Sequence, residues 1–357
     1  MAGLPVHDFK VKSIIHDYEV KFIEGIPATL ATVVKDGDVI IIDRKVDSIF
    51  PAIQQCLKNN TIISIDAVET NKSYEGLKPV ISKLIESGFR KNHRLIGIGG
   101  GITQDITAFT ASTMYRGVEW LFFPTTLLAQ ADSCIGSKTS INFGEYKNQL
   151  GGFFPPNQIF IDMEVLKSLP HADLQSGFGE MSHYFVIAGE AEFKKYKKDY
   201  PLALGDTQVL AQTIAKSLEI KKGYIEIDEF DTNERQVFNY GHSFGHSIES
   251  LTNYSVPHGI AVSIGMDMAN FVSVKMKLLD ETIRTEIREL LQQIWVGYDI
   301  KHIDVEKFCR ALAKDKKNVG KELRLILCKG YGNVFKAPVK NDSTLHKWLE
   351  EYLKNEI

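Results

Sequence analysis

Leu95-Ile-Gly-Ile-Gly-Gly-Gly-Ile-Thr-Gln-Asp105 reads as an apolar strand that runs into three glycines and then into the start of a helix. Glycine lets a backbone come close to a pyrophosphate, and a helix N-terminus favours an anion. The spacing is Gly-Gly-Gly-x-x-x-Asp, not the usual dinucleotide fingerprint, and a tight strand-to-helix turn would use the same glycines without any ligand. Outward from this stretch, Tyr18 to Ile23, Asp38 to Asp43 and Thr61 to Ile65 read as strands before it, and Trp120 to Phe123 after it. Glu69 to Glu75 opens a helix that continues through Ile81, Leu84 and Ile85, and a second helix runs from Asp105 to Met114. Strands alternating with helices predict a doubly wound α/β domain. Asp43 ends its strand where a carboxylate can take a ribose hydroxyl, or where a turn simply needs a polar residue.

The 357 residues suffice for two domains with buried cores. A hydrophobic share of 44%, a charged share of 24% and a net charge of -3 are those of an ordinary globular protein, with no basic block suited to nucleic acid or membrane. No signal-peptide pattern and no membrane-length apolar run is visible. The four cysteines are scattered without CxxC spacing and read as reduced thiols of a cytoplasmic protein.

Between Asp132 and Asn148, Ser133, Ser137, Lys138, Thr139 and Lys147 crowd around Gly136 and Gly144. That density predicts a flexible loop suited to a phosphate or polyol. After Asp162 the periodicity is helical until about Leu323. Within that half, Arg235-Gln-Val-Phe-Asn-Tyr-Gly-His-Ser-Phe-Gly-His246 and His258-Gly259 gather three of the ten histidines. His242 and His246 share a helix face. Neutral imidazoles suit a divalent metal, but two are not a complete site, and a carboxylate from elsewhere is required. Taken alone, the pair also fits polar residues on a half-exposed helix.

Taken in order, these motifs form a recognisable set: Gly99-Gly-Gly-x-x-x-Asp105, Tyr115-Arg-Gly117, Pro124-Thr-Thr-Leu-Leu-Ala-Gln-x-Asp-Ser133, Lys138-Thr, Lys147-Asn, a lone Glu180, and Asn239-x-Gly-His-x-x-Gly-His246 with His258-Gly259. The set resembles the 3-dehydroquinate synthase family and its sugar phosphate cyclase relatives. The resemblance spans roughly residues 69 to 330. It implies an NAD-binding α/β domain over residues 1–165 and an all-α metal- and substrate-binding domain over residues 166–357, with the active site between them in a homodimer. Carried over by position, it implies that Glu180, His242 and His258 hold Zn²⁺, with Co²⁺ or another divalent ion as substitutes. Asp43, Glu69, Lys72, Gly99, Gly100, Gly101, Asp105, Thr125 and Thr126 would contact NAD. Lys138, Asn148, Asn239 and His246 would bind phosphate, and Arg116 would reach phosphate across the dimer interface. Asp132 and Lys147 would line the pocket and cofactor. Lys221 and Arg235 would hold the substrate carboxylate, and Lys316 or Lys317 would close over the ligand.

The implied reaction converts 3-deoxy-D-arabino-heptulosonate 7-phosphate to 3-dehydroquinate. It proceeds by transient oxidation of a hydroxyl, loss of phosphate, return of the hydride and intramolecular aldol closure, so NAD is regenerated. The chain departs from the family pattern at His183, where a lysine is usual, at Ser137-Lys138 in place of Gly-Lys, and at Ile260 in place of Glu. His183 changes reach and charge beside Glu180 and bears on which sugar phosphate is used. A sister cyclase, a metal-dependent polyol dehydrogenase of the glycerol type and an inactive NAD- and metal-binding relative are the alternatives. The dehydrogenase has no use for Lys138, Asn148 and Arg235 around a phosphate and a carboxylate.

Overall fold

The computed structural model describes residues 7–57, 59–144, 146–313 and 322–357, so Lys316 and Lys317 lie outside the described residues. Its strands are β1 (Phe9–Val11), β2 (Tyr18–Ile23), β3 (Val39–Asp43), β4 (Thr61–Ile65), β5 (Leu95–Gly99), β6 (Trp120–Pro124), β7 (Lys138–Phe143), β8 (Tyr146–Phe153), β9 (Gln158–Asp162), β10 (Glu322–Cys328) and β11 (Val334–Lys340). The chain divides into two compact units. The first comprises the residues up to Leu169 with Ile214–Asp231, and the second Pro170–Thr213 with Thr232–Ile357.

The first unit is built on a seven-stranded sheet of order β1-β2-β9-β6-β5-β3-β4. All its pairings are parallel except β1 with β2. The central strands are continuous apolar runs because a parallel sheet is covered on both faces, and Ile40, Ile41, Ile96, Phe122 and Phe123 are all buried. The connections reverse direction between β3 and β5, which pair from Val39↔Leu95 to Ile42↔Ile98. Asp43 and Gly99 therefore end adjacent strands at the switch point, where open α/β sheets bind ligands.

Three local expectations change. The helix after β5 begins at Gly101, not Asp105, so the last glycine forms its first turn. Glu69–Asn71 is a separate 3₁₀ turn, and the following helix, Tyr74–Glu86, starts afresh with Ser73 capping Gly76 N at 3.3 Å. The expected flexible loop from Asp132 to Asn148 is instead a π-helical turn, Ala129–Ser133, followed by the β7–β8 hairpin. Almost all of β8 is exposed, so it lacks the buried alternation by which a strand is read from sequence.

The second unit is mainly helical and includes an antiparallel β10–β11 pair. The helix His258–Lys275 is buried on nearly all sides, which its mostly apolar and small residues permit. Its Asp267 accepts from Arg284 Nε at 3.1 Å, from Tyr352 Oη at 2.8 Å and from Arg288, so the buried carboxylate is compensated.

That helix meets the helices His171–Ala188 and His242–Leu251 backbone to backbone. A Cβ on Gly259 would lie 1.8 Å from Ser176 O, and one on Gly179 would lie 2.1 Å from Gly259 O. A Cβ on Gly265 would lie 2.1 Å from Gly241 O. Carbonyl oxygens within a helix cannot yield to such an atom. Gly259→Ala is therefore expected to cost more than about 3 kcal/mol in urea unfolding. Gly223→Ala, in the helix Thr207–Ile225 with nothing within 4 Å of its Cβ, should gain up to about 1 kcal/mol. Equal midpoints for Gly259→Ala and the wild type would refute the tight contact.

Candidate active site

In the second unit the glycine contacts set Glu180, His242 and His258 around one point. Each of the three residues directly follows or precedes a contact glycine: Gly179, Gly241 and Gly259. His242 is the first residue of its helix, placed by Gly241 in the left-handed region at φ 83°. His258 opens its own helix behind Pro257. Glu180 Oε1 lies 3.3 Å from His242 Nε2, and Oε2 lies 3.5 Å from His258 Nε2. One donor atom from each residue falls within 4.8 Å of the others. Glu180 Oε2 is buried and accepts no hydrogen bond from the described residues. Burial would raise the Glu180 carboxyl, but His242 and His258, with His183 beyond them, override it and hold the group well below the usual carboxylate range. A carboxylate with an orphaned buried oxygen, faced by two imidazole nitrogens, is a donor set that a divalent cation satisfies.

Exposure rises outward, from 5% for the Glu180 side chain to 13% for His242 and 34% for His258. His246 is exposed beyond them, its ring 5.5 Å from that of His242 and 5.6 Å from that of His258. His183 turns inward. It is 1% exposed, its ring packs against Tyr184 at 3.9 Å and Phe238 at 5.7 Å, and its Nδ1 lies 3.9 Å from Glu180 Oε1. The 3₁₀ turn Glu234–Asn239 carries a buried Arg235 and Asn239, whose amide donates to Gln236 O at 3.0 Å. The sequence reading missed Glu249, which is buried and places Oε2 3.0 Å from His258 Nδ1. Its spacing of seven from His242, on the same helix face, was the available signal.

In the first unit the residues assigned to a dinucleotide collect around the end of β5. A Cβ on Gly99 would meet Thr103 Oγ1 at 2.4 Å, and one on Gly100 would meet Thr126 Cγ2 at 2.9 Å, so packing within the chain requires these glycines. Gly101 differs, because its Cβ would meet nothing closer than 3.9 Å. The helix Gly101–Thr113 that begins there has no side-chain cap bond at its N-terminus. Thr125 is buried and donates its N–H to Gly99 O at 2.9 Å, while Thr126 Oγ1 accepts from Ala129 N at 3.2 Å. Asp43 accepts from Lys45 N at 3.0 Å and so caps the next helix.

Lys72 is the hub of a polar cluster. Its ammonium lies 3.0 Å from Asp105 Oδ2, 2.9 Å from Asn148 Oδ1 and 3.6 Å from Glu69 Oε1. Lys147 joins at 3.9 Å from Glu69. Asn148, expected among the phosphate ligands, thus sits with the cofactor set, at the left-handed φ of 51°. Lys138 stands apart from it, half exposed and ion-paired with Asp231. Arg116 is exposed on the turn after the Gly101–Thr113 helix, where Tyr115 and Arg116 both have positive φ, 49° and 60°.

The π-helical turn presents Asp132 to Lys221. The buried ammonium donates to Asp132 Oδ1 at 2.8 Å and to Asp132 O at 2.6 Å, and Ser217 Oγ donates to Ala131 O at 2.9 Å. A π-turn offset of this kind is frequent at functional sites. Any role of Lys221 toward a substrate carboxylate is therefore shared with Asp132.

The chain matches the family models described as 3-dehydroquinate synthase N-terminal, over residues 62–176, and 3-dehydroquinate synthase C-terminal, over residues 177–318. A 3-dehydroquinate synthase from Syntrophotalea carbinolica is 36% identical over 284 residues, covering 79% of this chain and 78% of that protein. Among solved structures, 2-deoxy-scyllo-inosose synthase complexed with carbaglucose-6-phosphate, NAD⁺ and Co²⁺ superposes with a TM-score of 0.84 at 21% identity, covering 97% of this chain and 99% of that one. The 2-epi-5-epi-valiolone synthase from Streptomyces hygroscopicus, with NAD⁺ and Zn²⁺ bound, gives 0.83 at 23% identity, covering 96% and 97%. These structures define the fold class. Within it, the chain belongs to the 3-dehydroquinate synthase family.

Lys221→Met should remove the buried ammonium that Asp132 faces, at a cost of about 3 kcal/mol. Adding Asp132→Leu should recover most of that loss in a double-mutant cycle. Additive losses would show that the pair does not act as a unit.

Proposed function

We propose that this chain is an NAD- and zinc-dependent sugar phosphate cyclase that converts 3-deoxy-D-arabino-heptulosonate 7-phosphate to 3-dehydroquinate and releases phosphate. The observation that carries the reading is the Glu180, His242 and His258 cluster, with its orphaned Glu180 oxygen, in a chain of this family. Glu180, His242 and His258 would hold the ion and leave positions for substrate hydroxyls. When bound, the ion supplies Lewis acidity and the nicotinamide a reversible hydride acceptor.

The chain's own residues bind and orient. Asp43 at the end of β3 would take a ribose hydroxyl, and the Gly101 turn would take the pyrophosphate. Glu69, Lys72 and Asp105 hold one another and would frame the cofactor, with Gly99, Gly100, Thr125 and Thr126 shaping the turn beneath it. Lys147 adds a cation to the rim of that cluster. In the first unit Lys138 is the proposed phosphate ligand, with Arg116 of a second copy in a homodimer, whereas Asn148, bonded to Lys72, would join the cofactor group. In the second unit Asn239 and His246 take the phosphate role. Arg235 would hold the substrate carboxylate, and Lys221, through Asp132, would order the polar end of the ligand. A cation beside the leaving phosphate orients it and stabilises its developing charge.

No helix of the described residues is long and apolar enough to cross a membrane. We place the protein in the cytoplasm, where four unpaired cysteines, three of them buried, remain reduced.

A second reading, a sister cyclase acting on another sugar phosphate, is favoured by one observation. His183 stands where the family pattern has lysine, and it is packed among aromatic rings beside Glu180. A panel of heptulosonate, heptulose and hexose phosphates separates the two readings.

Phosphate is expected to appear with NAD⁺ required and with no matching rise in NADH absorbance. Stoichiometric NADH would make the protein a dehydrogenase. His242→Ala should lose its zinc and its activity together, and zinc retained at one equivalent would remove His242 from the ligand set. His183→Lys should shift relative turnover across the panel toward the heptulosonate with metal content unchanged. An unchanged profile would rule His183 out of substrate choice, and loss of metal would make it a ligand.

A further inference from the structure

We propose that Glu249 is a positioning residue of this metal centre: it accepts the Nδ1 proton of His258 and so fixes the tautomer that turns the Nε2 lone pair toward Glu180. The inference rests on the reading of Glu180, His242 and His258 as ligands.

A neutral imidazole has one N–H and one lone pair, and only the lone pair can bind a metal. His258 places its two nitrogens against two different carboxylates. Nδ1 lies 3.0 Å from Glu249 Oε2, and Nε2 lies 3.5 Å from Glu180 Oε2. Both carboxylates are buried. The shorter contact is a hydrogen bond, and a carboxylate can only accept in it, so the proton belongs on Nδ1. The Nε2 lone pair then faces Glu180 Oε2, which accepts no hydrogen bond from the described residues. Two acceptors facing each other across a short gap are reconciled by a cation.

The backbone fixes the same geometry. Glu249 lies on the helix His242–Leu251, two turns after His242. The chain then turns through Asn253 and Tyr254, both left-handed at φ 49° and 61°, and Tyr254 N donates to Glu249 O at 2.8 Å. One residue thus anchors the turn with its carbonyl and the following histidine with its carboxylate. Partners of this kind, behind a metal-bound histidine, tune affinity as well as orientation. His246, Glu249 and His258 also bring donor atoms within 4.8 Å of one another, which poses a rival role for Glu249 as a ligand.

The test combines nitrogen-resolved NMR of the metal-free protein with zinc titration, on the wild type, Glu249→Ala, Glu249→Gln and the reference variant His242→Ala. In the wild type, His258 should carry its proton on Nδ1. Glu249→Ala should populate the other tautomer and weaken zinc binding 10–100-fold. Glu249→Gln, which keeps an acceptor oxygen, should restore most of the affinity and separates this effect from misfolding. The proposal is overturned if wild-type His258 is protonated on Nε2, or if Glu249→Ala binds zinc as tightly as the wild type. It is also overturned if the wild type binds two zinc ions and Glu249→Ala only one. Zinc bound equally by the wild type and His242→Ala would instead break the ligand assignment, and the tautomer measurement would still decide what Glu249 does to His258.

Discussion

The donor cluster of the second unit depends on helices that touch through their main chains. Glutamate and histidine side chains are short, so three helices can share one point only if their axes come unusually close. Gly179 against Gly259 and Gly265 against Gly241 allow that approach. Each donor sits next to one of these contacts, and its Cα is therefore fixed by backbone packing, not by side-chain adjustment. The buried helix His258–Lys275 is the common partner in both contacts. Its Asp267, held by Arg284, Arg288 and Tyr352, ties further helices to the same axis.

The first unit solves a different problem, the placement of polar groups at the end of an apolar sheet. Most of its glycines at β5 answer to the chain's own threonines. Gly101, which follows them, has room where a Cβ would meet only Ser133 Oγ at 3.9 Å. Asp43 shows that the two readings of a strand-terminal aspartate need not compete. It caps the helix that follows with one oxygen, and it stands beside the glycine turn at the sheet's switch point. The Lys72 cluster sets a buried cation against partly exposed carboxylates, so the polar rim is largely self-neutralised.

Much of this was legible in the sequence, for physical reasons. Buried parallel strands such as Val39–Asp43 and Leu95–Gly99 are continuous apolar runs, and imidazoles four apart on a helix share a face. The polar stretch around Lys138 misled because β8 has no buried side to pattern it, so a hairpin looked like a loop. The clustering of Asn148 with Lys72 and Asp105 depends on the register of that hairpin and on a left-handed residue. Neither can be read from composition. Glu249 was hidden because its partner, His258, lies across a turn whose path is set by Asn253 and Tyr254. The inward packing of His183 depends on Tyr184 and on Phe238, whose proximity in space no spacing rule predicts.

The first unit is discontinuous, and this has a consequence for its synthesis. Its sheet is complete once β9 has been made, but Ile214–Asp231 follows only after Pro170–Thr213 of the other unit. Until then Asp132 lacks the ammonium of Lys221, and Ala131 O lacks the hydroxyl of Ser217. An N-terminal chain ending near Leu169 would carry every strand of the sheet and still lack the ammonium that faces Asp132 at its π-turn. In vectorial synthesis these contacts are therefore left to a later segment, which brings Ser217 and Lys221 to the π-turn. A proteolytic or designed cut between the two stretches would separate a sheet from the helix that neutralises it.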